Sequence, residues 1–169
     1  MDYGRAIATL FRMDDEAWAR HASPWSVYTR IPLFIPLLAS IWSHTTLGWL
    51  MLIPLVGVLA FAWVNPRLFA PPLSTNRWAS KATFGERVWL NRHTIPIPEH
   101  HATAAHLLSA VAAFGFVAAV IGAWLNDLLM TLVGAACGLL AKLWFCDRMV
   151  WLYEDMKDAD PTYRSWLRP

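Results

Sequence analysis

Four long apolar runs, joined in pairs by two short turns that contain no lysine or arginine, constrain this chain more than any other feature. The runs occupy 25–43, 47–64, 99–124 and 128–148, and the helical pattern of the last continues to about 156. Each has the roughly 18–20 residues a helix needs to cross a hydrocarbon core about 30 Å thick. Lipid offers the backbone no hydrogen-bond partner, so apolar runs of this length satisfy themselves as helices. The expected fold is all-α: one membrane domain over 1–169, an integral membrane four-helix bundle of two transmembrane hairpins with cytoplasmic amphipathic surface helices. Composition agrees. Hydrophobic residues make up 57% and charged residues 15%, against about 45–50% and 25% in a soluble domain.

Local punctuation sets the boundaries. Residues 1–23 alternate apolar and polar positions, with Ile7, Leu10, Phe11 and Trp18 against Arg5, Arg12, Asp14 and Asp15, and read as an interfacial segment. Ser23-Pro24 starts the first run as N-cap and first helical residue; Pro32 and Pro36 should loosen its first turns. Ser43 to Thr46 is a tight polar connection, and Asn65-Pro66 should stop the second run. The interval 65–98 contains an amphipathic helix over 78–91, and Ile95-Pro96-Ile97-Pro98 separates it from the third run. Asn126-Asp127 is the second short turn. Asp158-Ala159-Asp160-Pro161 ends the fourth helix before the tail at 157–169.

The basic residues orient the chain. All fourteen fall in the N-terminal segment and the first turns of the first run, in the interval 65–98, or from Lys142 onward. Lys and Arg kept near membrane ends mark the cytoplasmic side, so both termini and the middle interval should face the cytoplasm of a prokaryotic inner membrane. Eleven tryptophans fit this arrangement, with Trp42, Trp49 and Trp124 near the outer turns and Trp25, Trp63 and Trp144 near the inner ends. No cleavable signal peptide is expected, because the first apolar run lies behind Asp14-Asp15-Glu16 rather than behind a basic start. A net charge of +2 gives no reason to expect nucleic acid. Cys137 and Cys146, about 13 Å apart along one helix, are too distant to bridge and read as packing residues. Gly115 and Ala119, and Gly134 and Gly138, offer small faces for close helix packing, within the chain or in a homodimer.

Imidazole and carboxylate groups gather on the predicted cytoplasmic side. Five of the six histidines lie there, His21, His93, His100, His101 and His106, with Asp14, Asp15, Glu16, Glu86, Glu99, Asp147, Glu154 and Asp155. Such groups are the usual ligands of zinc, iron or manganese. Positions i and i+7 share a helix face. Glu99 and His106 have that spacing at the start of the third run, and Asp147 and Glu154 at the end of the fourth, so the two stripes could face each other. Glu99, His106, Asp147 and Glu154 are therefore the candidate catalytic residues. The candidate metal ligands are His21, His93, His100, His101, His106, Glu99, Asp147 and Glu154, for a divalent transition metal. Arg87, Arg92 and Arg148 are candidates for substrate or headgroup binding. Several have a plainer reading: Glu99 complements a helix dipole, His100 and His101 sit among headgroups, His106 is a hydrogen-bonded structural histidine, and Asp147 pairs with a neighbouring cation. The HExxH helix motif, zinc CxxC pairs, a GxSxG elbow and a phosphate loop are absent.

Several stretches carry a resemblance: Trp18-Ala19-Arg20-His21 with Ser23-Pro24-Trp25-Ser26, Asn65-Pro66-Arg67-Leu68-Phe69, Gly85-Glu86-Arg87-Val88-Trp89-Leu90-Asn91, and Asp147-Arg148-Met149-Val150-Trp151. Through them the chain resembles an uncharacterised family of small prokaryotic membrane proteins, a domain of unknown function. The resemblance implies a multi-pass membrane fold and brings no activity, cofactor or catalytic residue. The chain looks more distantly like membrane di-iron lipid hydroxylases and desaturases, but lacks their repeated HxxxH and HxxHH boxes. Three functions follow as expectations: a metal-dependent or acid–base enzyme acting on a lipid or hydrophobic substrate at the cytoplasmic face, a small transporter or channel, and a non-enzymatic scaffold. Membrane lipid is the expected partner of all three.

Overall fold

A computed structural model describes residues 13–169, so most of the interfacial segment expected over 1–23 lies outside the described residues. Every regular element among the described residues is helical. α1 (Asp15–His21) is capped by Asp14, whose carboxylate accepts from the Ala17 backbone N–H at 2.7 Å. α2 (Pro24–Arg30) begins at the expected Ser23-Pro24, but Ser23 makes no side-chain capping bond. The prolines divide the first apolar run. A 3₁₀ turn (Ile31–Leu33) holds Pro32, and α3 (Phe34–Trp42) has Pro36 in its first turn, where a missing N–H costs least.

The first short turn is more helical than expected. α4 (His44–Leu47) leads to Gly48, whose φ of +53° puts it in the left-handed region and reverses the chain. A 3₁₀ turn (Gly48–Met51) then feeds α5 (Leu52–Leu68). The expected stop at Asn65-Pro66 is corrected: α5 runs through Pro66 to Leu68. Pro66 lies in the last turn, and the buried Asn65 side chain is held from another helix, so both stay in helical geometry.

α6 (Trp78–Leu90) matches the amphipathic helix of the polar interval. α7 (Glu99–Leu125) and α8 (Leu128–Met156) form the long hairpin. Asn126, left-handed with φ of 53°, ends α7, and Asp127 caps α8 by accepting from Met130 N–H at 2.9 Å. Asn126 also donates to the Trp42 carbonyl at 3.1 Å, tying the two turns together. The tail contains α9 (Pro161–Ser165). It docks on the loop before α6: Thr75 N–H donates to the Arg168 carbonyl at 2.9 Å, and Arg168 N–H to Thr75 Oγ1 at 2.7 Å.

Three helical stretches, His44–Leu68, Glu99–Leu125 and Leu128–Met156, are long and apolar enough to cross a membrane. They mark the chain as a membrane protein. Their large apolar side chains point outward, as at Trp49, Phe114 and Leu129, which are 85%, 80% and 73% exposed. α7 and α8 touch through small residues instead. A methyl group on Gly115 would collide with the backbone of Gly138, and one on Gly134 with Ala119. The small faces are thus filled within the chain. The largest buried cluster lies at the other end, where Phe84, Val88 and Trp89 of α6 meet Met149, Leu152 and Tyr153 of α8 and Tyr163 of the tail. This end holds most of the ionisable groups.

Candidate functional site

Two polar assemblies occupy that end. The first forms where α1, α2 and α5 converge. His21 is 3% exposed. Arg30 Nη2 donates to His21 Nε2 at 3.0 Å, and His21 Nδ1 donates to Ser26 Oγ at 3.1 Å. Ser26 donates to Asn65 Oδ1 at 2.8 Å, and Asn65 Nδ2 donates to Thr29 Oγ1 at 2.9 Å. Thr29 ends the chain on the Trp25 carbonyl at 2.6 Å. Every group donates forward and accepts from behind, which fixes His21 as the neutral Nδ1–H tautomer. Burial, with Arg30 adding to it, pushes the His21 pKa down to about 3. Beside this chain, Lys142 of α8 donates to Glu86 of α6 at 2.9 Å. Burial alone would raise the Glu86 carboxyl, but the nearby cations, Lys142 foremost, hold it below its ordinary value.

The second assembly joins the start of α7 to the last turns of α8. The buried His101 donates through Nε2 to Asp155 Oδ2 at 2.8 Å, while Arg148 Nη2 donates to His101 Nδ1 at 3.3 Å. The exposed His100 ring lies 4.2 Å from the His101 ring, centroid to centroid. One ligand atom from each of His100, His101 and Asp155 falls within 4.8 Å of the others. Arg148 Nε is buried with no acceptor.

The expected site residues separate into different settings. Of the candidate ligands, His100 and His101 come together, and their carboxylate partner is Asp155. Glu99 is exposed, and His106 sets its ring edge-on to Trp89 at 5.8 Å. Asp147 accepts from Trp78 Nε1 at 3.0 Å, and Glu154 is bound by Lys81 and Lys157. Among the described residues no hydrogen bond or ion pair joins Glu99 or His106 to Asp147 or Glu154; each of the last two is held by other partners. His93 is exposed, and His21 belongs to the other assembly. Among the arginines, Arg87 pairs with Asp15 at 2.6 Å and lies over the Trp166 ring at 4.2 Å. Arg92 lies over Trp89 at 4.1 Å, and Arg148 holds His101. The i, i+7 rule that selects Asp147 and Glu154 applies equally one position on, to Arg148 and Asp155, and those two touch His101.

The quoted sequence stretches supply much of the first assembly: His21, Ser26, Asn65 and Glu86 all come from them. Comparison with curated proteins and with solved structures gave no match to this chain. A family profile matches residues 4–167, and the chain therefore belongs to that family, DUF6653, a family of unknown function.

Proposed function

We propose that this chain is a metal-dependent enzyme of the prokaryotic inner membrane that acts on a lipid or other hydrophobic substrate at the cytoplasmic face. In this reading the stretch 24–42 and the three long spans make two membrane hairpins, and both termini and the interval 65–98 face the cytoplasm. The basic residues support that orientation, since none of the fourteen lies in either short turn. The chemical part is carried by one observation, the meeting of His100, His101 and Asp155 within 4.8 Å. Two imidazoles and a carboxylate hold zinc, iron or manganese while leaving positions for water and substrate. His101 is the buried anchor, and Asp155, with its side chain 52% exposed, opens the site to one side.

Arg148 sharpens the test. A metal held through His101 Nε2 would take the place of the proton that this nitrogen donates to Asp155. Nδ1 would then carry the ring proton, and Arg148 would lose its bond there. Arg148 thus opposes metal binding, and its removal should tighten it by about tenfold, the weight of one charge-assisted hydrogen bond. Equilibrium dialysis of the purified protein against Zn²⁺ or Mn²⁺ should find one ion per chain. Uptake should fall in His101→Ala and Asp155→Asn and rise in Arg148→Gln. Wild-type protein that takes up no ion, or uptake unmoved by all three variants, overturns the metal reading.

The alignment of Arg148, His101 and Asp155 favours a second reading, acid–base work by His101 without metal. Lipid turnover that survives removal of metal by EDTA and is lost in His101→Ala would decide for it.

A further inference from the structure

We infer that Arg30 and Lys142 together hold the phosphate of an anionic phospholipid, drawn from the leaflet that borders the polar end of the molecule. This site is separate from the His101 assembly and stands whether or not a metal binds there.

Three observations carry it. The first is the depth of the charges. Lys142 lies about 21 Å along α8 from Leu128, which brings it toward the inner edge of a hydrocarbon core about 30 Å thick that starts at the Asn126 turn. Ionisable groups at such depth are costly and are found where they have partners or a pathway to headgroups. The second is the charge balance. Arg30 bonds to His21 at 3.0 Å, Lys142 to Glu86 at 2.9 Å, and α6, which carries Glu86, packs against both α2 and α8, so the two cations are brought to the same end of the molecule. His21 is neutral, so among the described residues two cations face one anion and the cluster keeps a surplus positive charge. Glu86 is spent on Lys142 at 2.9 Å. Arg30 makes one hydrogen bond among the described residues, to a neutral imidazole nitrogen, and its other guanidinium N–H groups are available to a phosphate.

The third is the surroundings, which choose a lipid over a free anion. The Lys142 side chain is 45% exposed. Trp25 and Trp144, at 69% and 63%, stand out from the same two helices that carry the cations. Tryptophan beside a snorkelling lysine or arginine is the composition of a headgroup boundary, with acyl chains on one side and phosphates on the other.

Native mass spectrometry of the full chain in detergent, with dioleoyl phosphatidylglycerol or dioleoyl phosphatidylcholine added, tests the inference. The anionic lipid should be retained about fivefold more strongly, the effect of one basic side chain on an anionic lipid. Arg30→Gln and Lys142→Gln should abolish the preference, and Arg164→Gln, on an exposed pair far along the chain, should leave it intact. Glu86→Gln should raise it, an increase that loss of structure would not produce. If Arg30→Gln does not fold, Arg30→Lys, which keeps the charge, should keep the preference, and Lys142→Gln alone should remove it. Equal retention of the two lipids by the wild type overturns the inference. So does a preference that survives Lys142→Gln, or one that falls in Glu86→Gln. Displacement of the lipid by excess inorganic phosphate overturns the choice of a lipid.

Discussion

The two ends of the α7–α8 hairpin are held by opposite means. Toward the Asn126 turn, backbone meets backbone through Gly115, Gly134 and Gly138, and the large apolar side chains are left outside. Toward Asp155, the same helices are wedged by Phe84, Trp89, Met149 and Tyr153 and surrounded by ionic and hydrogen-bonded groups. The difference teaches what each environment rewards. Lipid tails are as apolar as leucine, so helices within them gain by close van der Waals approach of small residues. Water expels large apolar side chains, so the wet end builds a core from them. One pair of helices obeys both rules along its length.

The largest effects should come from breaking either contact. A side chain on Gly85 would run into the carbonyl of Met149, just as one on Gly115 meets Gly138. Gly85→Val and Gly115→Val should each destabilise the fold by about 3 kcal/mol or more. Gly57→Val, where a Cβ meets nothing within 4 Å, should behave like wild type. Thermal unfolding in one detergent compares all three, and a Gly85→Val protein as stable as Gly57→Val would show that α6 is not seated on α8.

Acid should separate the two ends next. His21 has a folded pKa of about 3, below its ordinary 6.5. The unfolded chain therefore binds the extra proton between those values, and stability falls as pH is lowered from about 6.5 toward 3. The loss should be on the order of a few kcal/mol, and His21→Gln, which can donate and accept but does not titrate, should flatten the dependence. Glu86 adds a loss at lower pH, since a carboxyl held below its ordinary value stabilises the fold above that value and stops doing so once protonated. An identical acid profile for wild type and His21→Gln would remove His21 as the cause.

Smaller effects follow. Asn65→Ala leaves Ser26 without its acceptor and Thr29 without its donor, at a cost of about 2 kcal/mol. Denaturant titration followed by tryptophan fluorescence measures it. Smallest is the contrast between two arginines. Arg87, wedged between Asp15 and the Trp166 ring with its side chain 17% exposed, should cost about 1 kcal/mol when changed to Ala. Arg164, on an exposed pair with Asp158, should cost close to nothing. Equal losses would mean that the tail does not hold the polar end together.

Much of the fold was legible because lipid makes the code coarse. The long spans, the Ser23-Pro24 start, the 78–91 helix and the Asn126-Asp127 turn follow from hydropathy and from residues with strong backbone preferences. Asn65-Pro66 looks like a helix stop but is not one, because a proline in the last turn of a helix removes little, and Asn65 is fixed by Ser26 and Thr29, far away in sequence. The docking of the tail through Thr75 and Arg168 had no local signal at all.

The candidate site was legible in its ingredients and not in its arrangement. Sequence placed imidazoles and carboxylates at one end of the molecule, and the seven-residue spacing placed Asp147 with Glu154 and, equally, Arg148 with Asp155. Periodicity fixes which residues share a face of one helix but says nothing of how that helix is turned about its axis. The turn is set where α7 and α8 pack, with close approach at Gly115, Gly134 and Gly138 and with α6 seated on α8 at Gly85. In that packing His101, Arg148 and Asp155 face one another, Glu99 stays exposed and His106 lies beside Trp89. The sequence by itself therefore determined that this protein is helical, membrane-sized and polar at one end. Only tertiary packing decided which of its charged groups meet, because helix rotation is set by the neighbour each helix packs against.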